Sequence, residues 1–356
     1  MPPNMKDKMV ESYKELRDKD RKVLRLIVED FLKAGHPVSS STIAAQCDFS
    51  VSPATIRNIM GRLEEDGYLS QPHTSAGRVP TDEGLRFYVN MLFDDLHFPQ
   101  QTKSLTPGDF DIHQGDFFSM LHQVSSLLAE YSDNLGFVLS PRLSQLNFKH
   151  VRFLKIGEEK VLIIIITTFD LVLTEITETR NYFTQRELDN ASRYINENFR
   201  SKNLLYIRDY LLKELPKYRN RYEDTIGKLT SLLKNYIFLE ESRKQVFLQG
   251  TSKLLSNPEL FEMDHLRTLF RNFEEKAKLA KLLSDFISLD RVKVIIGSEL
   301  NIPDIEECAL VLSHYGYDRQ ILGSLGIIGP KRLSYKRIIP LVDIIAQKLS
   351  QTISSS

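Results

Sequence analysis

Arg57, Asn58, Arg62 and Arg78 are the residues of this 356-residue chain whose types and spacing come closest to a recognisable chemistry, that of contact with a nucleic acid. A guanidinium bonds bidentately to guanine and a carboxamide to adenine, so Arg57 and Asn58 on one helix face suit the base edges of a major groove. Ala54 and Gly61 share that face and leave room for the helix backbone to come close, while Thr55 and Arg62 flank it where phosphates would run. Ser52 stands at the helix start, where free N–H groups and the positive dipole end suit a phosphate. Downstream, the tip Pro72-His73-Thr74-Ser75-Ala76-Gly77 followed by Arg78 offers a cation and neutral donors suited to a sugar–phosphate backbone or a minor groove. The candidate DNA-binding set is therefore Ser52, Ala54, Thr55, Arg57, Asn58, Arg62, His73, Thr74, Ser75 and Arg78, with His73 reading equally well as a solvated turn residue.

Local sequence supplies the elements that must hold these side chains. Ser52 is a good N-cap, Pro53 suits the first helical position because its missing N–H would be orphaned there anyway, and Gly67 stops the helix. At about 100° per residue, Ile56, Ile59, Met60 and Leu63 gather on the face opposite Arg57 and Asn58. Glu64, Glu65 and Asp66 crowd the far end, so the N-terminal half is expected to face DNA. Alone, this would read equally well as a surface helix carrying two arginines. Its neighbours decide the matter. Asp20 to Ala34 has helical spacing and is stopped by Gly35 and Pro37; Val38 starts a short extended piece; Ser40 or Ser41 can cap a second helix over residues 42–47; a turn follows over 48–51. Helix, helix, turn, helix is the helix-turn-helix arrangement. Residues 68–71 and 78–80 then read as two short strands, and Thr81 caps a further helix with Leu85, Tyr88, Val89 and Leu92 inward.

The motifs VSPATIR, LEEDGYL, QPHTSAGRVPT and the later GIIGPKRLSYKRIIPLVD, in that order along nearly the whole chain, resemble the HrcA family of bacterial heat-inducible transcription repressors. The resemblance implies a winged helix, a GAF-like domain interrupted by an inserted dimerising domain, and a homodimer on an inverted-repeat operator upstream of chaperone operons. It further implies that a GroEL-type chaperonin helps keep the repressor active. Departures from the family pattern are Ile59 where an acidic or polar residue is usual, Leu333 for Met, and an extra Leu300 between Glu299 and Asn301.

Composition sets limits around this reading. The length suggests two or three domains, and 42% apolar with 26% charged residues is ordinary for a soluble globular protein. The longest strongly apolar run, Val161 to Ile166, is far short of the roughly 20 residues that span a bilayer, and the charged N-terminus lacks a signal core, so a cytoplasmic protein without membrane contact is expected. Cys47 and Cys308 lie far apart without metal-ligand spacing and read as reduced, buried small residues. The 47 basic residues are balanced by 47 acidic ones, so nothing global attracts DNA. Affinity would then depend on Arg57, Arg62 and Arg78 placed locally and doubled by a dimer.

The expected fold class is α+β and multidomain: a winged helix-turn-helix over residues 1–97, a linker over 98–115, a GAF-like domain with an antiparallel sheet over 116–179 and 251–356, and a mostly helical insertion over 180–250. Strands at 136–140, 150–156, 161–168 and 171–177 are read as one half of the sheet, and 292–296, 309–315 and 324–328 as its return. Helices are expected over 116–134, 185–198, 207–214, 223–240, 265–273, 274–285 and 336–353. Within the insertion, Leu229, Leu232, Leu233, Tyr236, Ile237 and Leu239 read either as a subunit interface or as intradomain core.

No enzyme is expected. The eight histidines form no H-E-x-x-H, and the glycine-rich run 323–332 lacks both phosphate-cradle spacings, which assigns it to folding as a turn into the last helix. No cofactor or metal is expected. The competing function is a metabolite-sensing winged-helix regulator that uses its GAF-like domain, a reading resting on fold analogy.

Overall fold

The computed structural model describes residues 16–47, 51–73, 76–95, 108, 110–112, 117–141, 146–168, 172–179, 182–214, 246–255, 291–300, 306–317 and 320–355. The chain is a mixture of helices and antiparallel sheets. The N-terminal module comprises α1 (Asp18–Ala34), α2 (Ser40–Gln46), α3 (Pro53–Glu65), a ribbon of β1 (Leu69–Ser70) and β2 (Val79–Pro80), and α4 (Asp82–Asp95). Each helix buries the stripe its periodicity marks: Val23, Leu24, Ile27 and Val28 from α1; Ile56, Ile59, Met60 and Leu63 from α3; Leu85, Tyr88, Val89 and Leu92 from α4. Ile59, one of the three departures named above, is thus a core residue.

Helix α2 is capped by Ser39, one residue before the expected Ser40 or Ser41, because Ser39 keeps an extended backbone and its hydroxyl accepts from Thr42 N–H at 3.1 Å. Val38 and Arg78 exchange both backbone hydrogen bonds (2.8 and 2.9 Å), so the extended piece before α2 adds a third short rung to the ribbon. A side chain on Gly77 would place its Cβ 2.2 Å from Val38 O, so only glycine permits this approach.

The C-terminal part is built on a five-stranded antiparallel sheet ordered β7 (Val246–Gln249), β3 (Leu135–Leu139), β10 (Gln320–Pro330), β9 (Cys308–Tyr317), β8 (Val292–Ile296). Helices α5 (Phe117–Ser132) and α9 (Tyr335–Ser355) lie together against it, and the short α8 (Thr251–Leu255) follows β7. The glycine-rich run 323–332 serves folding: the strand expected over 324–328 forms as β10 and continues to Pro330, so the turn into the last helix is confined to the residues after it. Within the expected linker, Phe110 and Ile112 are buried, and Phe110 packs edge-on against Tyr131 at 5.1 Å.

A second sheet, β4 (Phe148–Lys155), β5 (Lys160–Thr167) and β6 (Val172–Glu178), forms a separate body with α6 (Gln185–Asn198) and α7 (Leu204–Glu214) around Phe148, Phe153, Ile163, Leu188 and Ile195. This corrects the expectation that the four strands between 136 and 177 make one half of a single sheet. The strands form where expected, yet only β3 joins the C-terminal strands. The chain leaves the five-stranded sheet after Leu139 and returns at Val246, so the interruption starts well before residue 180 and holds a sheet rather than being mostly helical among its described residues. Side chains of α6 satisfy the free edge of β4: Asn196 bonds Val151 N and O (2.8 and 2.9 Å), Ser192 accepts from Phe153 N (3.0 Å) and Gln185 from Lys155 N (2.8 Å). A helix thereby replaces the neighbouring strand that an edge would otherwise invite. The helices expected over 223–240, 265–273 and 274–285 lie outside the described residues.

Candidate nucleic-acid interface

Helix α3 divides cleanly between a buried and an open face. Ser52 caps it, its hydroxyl accepting from Thr55 N–H at 3.2 Å and lying 3.0 Å from the Thr55 hydroxyl. Ser52, Ala54, Thr55, Arg57 and Asn58 are all exposed, and Arg57 and Asn58 make no hydrogen bond or ion pair among the described residues. Their side chains are therefore unengaged among the described residues. Ser52 and Thr55 are occupied with each other as a cap, and what they still present is the N-terminal turn itself.

The other two arginines are placed differently. Arg62 donates to Asp20 at 2.8 Å, across 42 residues of sequence, and that carboxylate is almost fully buried in the first turn of α1. Arg78 donates through Nε to Glu64 Oε2 at 2.8 Å, tying the second ribbon strand to the last turn of α3. Sequence reasoning missed Asp20 and Glu64. No local signal points to either pair, although an acidic last turn beside a ribbon arginine is compatible with one. Arg62 remains 43% exposed and Arg78 20%, so each guanidinium is held by one carboxylate while part of it still meets solvent.

Gln71 Nε2 bonds Ala76 O at 3.0 Å and Ala76 N bonds His73 O at 2.9 Å, closing the ribbon tip. His73 is exposed there, and Thr74 and Ser75 lie outside the described residues. The base of the ribbon is pinned by Thr81, which donates to Gly67 O at 2.7 Å and caps α4 through Gly84 N at 3.1 Å. Helix α3 and the ribbon thus share a frame of backbone and side-chain bonds. Gly61 on the open face is unusual: a Cβ there would meet nothing within 4 Å, so packing within the chain gives no reason for glycine.

No helix of the described residues is long and apolar enough to cross a membrane. Residues 119–339 match the family described as "HrcA protein C terminal domain". A relative from Geobacter sulfurreducens named "Heat-inducible transcription repressor HrcA" is 32% identical over 337 residues, covering 95% of this chain and 98% of its own. Another of that name from Xylella fastidiosa strain M12 is 34% identical over 334 residues, covering 94% and 95%. Among solved structures, "Crystal structure of a hypothetical protein at 2.2 A resolution" matches with a TM-score of 0.65 and 25% identity over 96% of this chain and 99% of that one. With that family match across well over half of its length, and relatives of this identity along nearly all of it, the chain belongs to the HrcA family of transcription repressors.

Proposed function

We propose that this chain is a sequence-specific DNA-binding repressor of heat-shock chaperone operons that binds an inverted-repeat operator as a homodimer. The observation that carries the reading is the open face of α3: Arg57 and Asn58 adjacent, exposed and without a partner among the described residues, on a helix whose opposite face is wholly buried. In this reading α1 to α3 are a helix-turn-helix, α3 enters the major groove by its N-terminal half, and Arg57 and Asn58 select bases. The ribbon is the wing, with Arg78, His73, Thr74 and Ser75 on the backbone or the adjacent minor groove, and Arg62 beside a phosphate. Near-neutral net charge favours a dimer, since one copy brings few cations to DNA.

The repressed state is then a population of folded, paired chains in the cytoplasm, which heat depletes and a GroEL-type chaperonin replenishes. Footprinting the purified protein on a chaperone operon should protect two half-sites about one helical turn, or a multiple of it, apart. Absence of any protected repeat would overturn the reading. For the chaperonin, added GroEL should raise operator occupancy after a heat step; unchanged occupancy would remove that element.

A second reading has one observation in its favour. A cleft of about 650 Å³ beside α9 is lined by Arg291, His314, Asp343 and Gln347 among others, within the size range of small-ligand sites. In this reading the C-terminal domain, GAF-like by the family resemblance, senses a metabolite. A thermal-shift screen separates the two: stabilisation by a small molecule that also alters DNA binding would favour the sensor.

A further inference from the structure

The N-terminal module is fastened to the five-stranded sheet domain by a seam of charge that the DNA-reading role leaves unexplained. Asp82 and Arg86 stand one turn apart on α4. Asp82 accepts from Ser298 N at 3.0 Å and from Lys331 Nζ at 2.9 Å, and Lys331 also reaches Glu307 at 3.0 Å. Arg86 bonds Glu299 with both Nε (2.7 Å) and Nη2, and its Nη2 donates to Val294 O at 2.7 Å. Glu299 in turn accepts from Ile296 N at 2.9 Å. The turn between these contacts needs glycine: Gly297 has φ +55°, and a Cβ there would lie 2.0 Å from Asp82 Oδ2. Next to Lys331, Arg332 stacks over Phe31 of α1 at 5.8 Å.

The four central side chains are 15–28% exposed, so the pairs are partly shielded from water and are bidentate or shared rather than single surface contacts. They hold α4 in both position and rotation, because charges one helical turn apart grip two different points of the sheet domain. None of the open-face residues of α3 takes part. A module joined to the sheet domain by chain connection alone would have to be ordered anew at each operator, whereas a fixed module arrives oriented.

We propose that Asp82, Arg86, Glu299 and Lys331 are positioning residues for operator binding: they make the orientation of the reading helix a property of the sheet domain, so that two copies present their helices at a set spacing. The proposal rests on the DNA-binding reading above. The test uses the full-length chain with Glu299→Gln and, on the other arm of the seam, Lys331→Met, alone and combined. DNA binding is measured on a full inverted repeat and on a single half-site, and hydrogen exchange is followed over residues 292–300. The expected result is at least a tenfold loss on the full repeat, half-site affinity within twofold of wild type, and faster exchange at Ile296 and Ser298. Unchanged or tighter binding to the full repeat would overturn the proposal, as would an equal loss on the half-site, which marks a merely local folding role. If wild type binds neither DNA, the DNA reading fails and the positioning role with it; the exchange data still tell whether the seam itself exists.

Discussion

Arg78 Nε lies 2.8 Å from Glu64 Oε2, so the ribbon arginine is bound to the final turn of α3. The contact leaves the rest of the guanidinium fork for a second partner. Arg78→Ala should therefore remove one phosphate contact and loosen the ribbon together, weakening specific and non-specific DNA by similar factors. The slope of log affinity against log salt should fall in magnitude by about 1. Arg78→Lys should restore little, because an ammonium lacks the planar fork that can serve two oxygens at once. Affinity titrations at several salt concentrations check this; an unchanged slope would confine Arg78 to its pairing with Glu64.

Arg57 makes the opposite prediction. It has no partner to lose among the described residues, so Arg57→Ala should leave stability nearly unchanged. It should cost about 1 to 3 kcal/mol of specific binding and relax sequence choice at one base pair of each half-site. Binding-site selection with the variant reads this directly, and an even loss across all sequences would move Arg57 from base to backbone.

Gly61 separates folding from binding. Glycine inside a helix costs roughly 0.5 to 1 kcal/mol relative to alanine, and nothing within 4 Å would obstruct the extra methyl. Gly61→Ala should raise the unfolding free energy by about that amount while weakening the specific complex, since the methyl would hold the backbone off the base edges. Denaturant unfolding and operator titration together decide; a variant that is more stable and binds equally well would place this part of α3 away from the groove.

Cys308 offers a reporter for heat release. It lies buried at the start of β9, and burial is the chief cause that pushes its thiol up to about 12, with Glu307 adding to the rise and Lys331 opposing it. The nucleophilic thiolate is thus disfavoured in the folded chain and restored near its ordinary value on unfolding, at any pH between the two. Alkylation should reach the half-buried Cys47 first and Cys308 only as the sheet opens. If heat releases the operator by unfolding this domain, Cys308 labelling and operator release should rise over the same temperatures. Release well below the onset of labelling would require another trigger.

The parts of the fold legible in the sequence are those fixed by local signals. Helix α3 carries its own cap, proline and apolar stripe, and the ribbon its own turn residues, so both form where expected. Sheet membership was not legible from strand propensity alone. A partial signal was present: β3 has no polar side chain and is buried at all five positions, as befits the inside of a covered sheet, whereas β4 and β6 interleave charged and polar residues with apolar ones; β5, apolar from Val161 to Ile166, carries no such signal. Likewise, the exposure of Arg57 followed from periodicity, but the partners of Arg62 and Arg78 did not. Asp20 meets Arg62 only because α1 packs across α3, a tertiary fact that spacing within either helix does not encode.

The most direct measurement of the central claim is a gel shift with the purified protein alone, on a chaperone-operon inverted repeat and on the same bases scrambled. The account predicts one discrete complex on the repeat, with affinity at least about 1,000-fold above that for the scrambled duplex at physiological salt. Equal affinity for the two duplexes, or no complex with either, would contradict it.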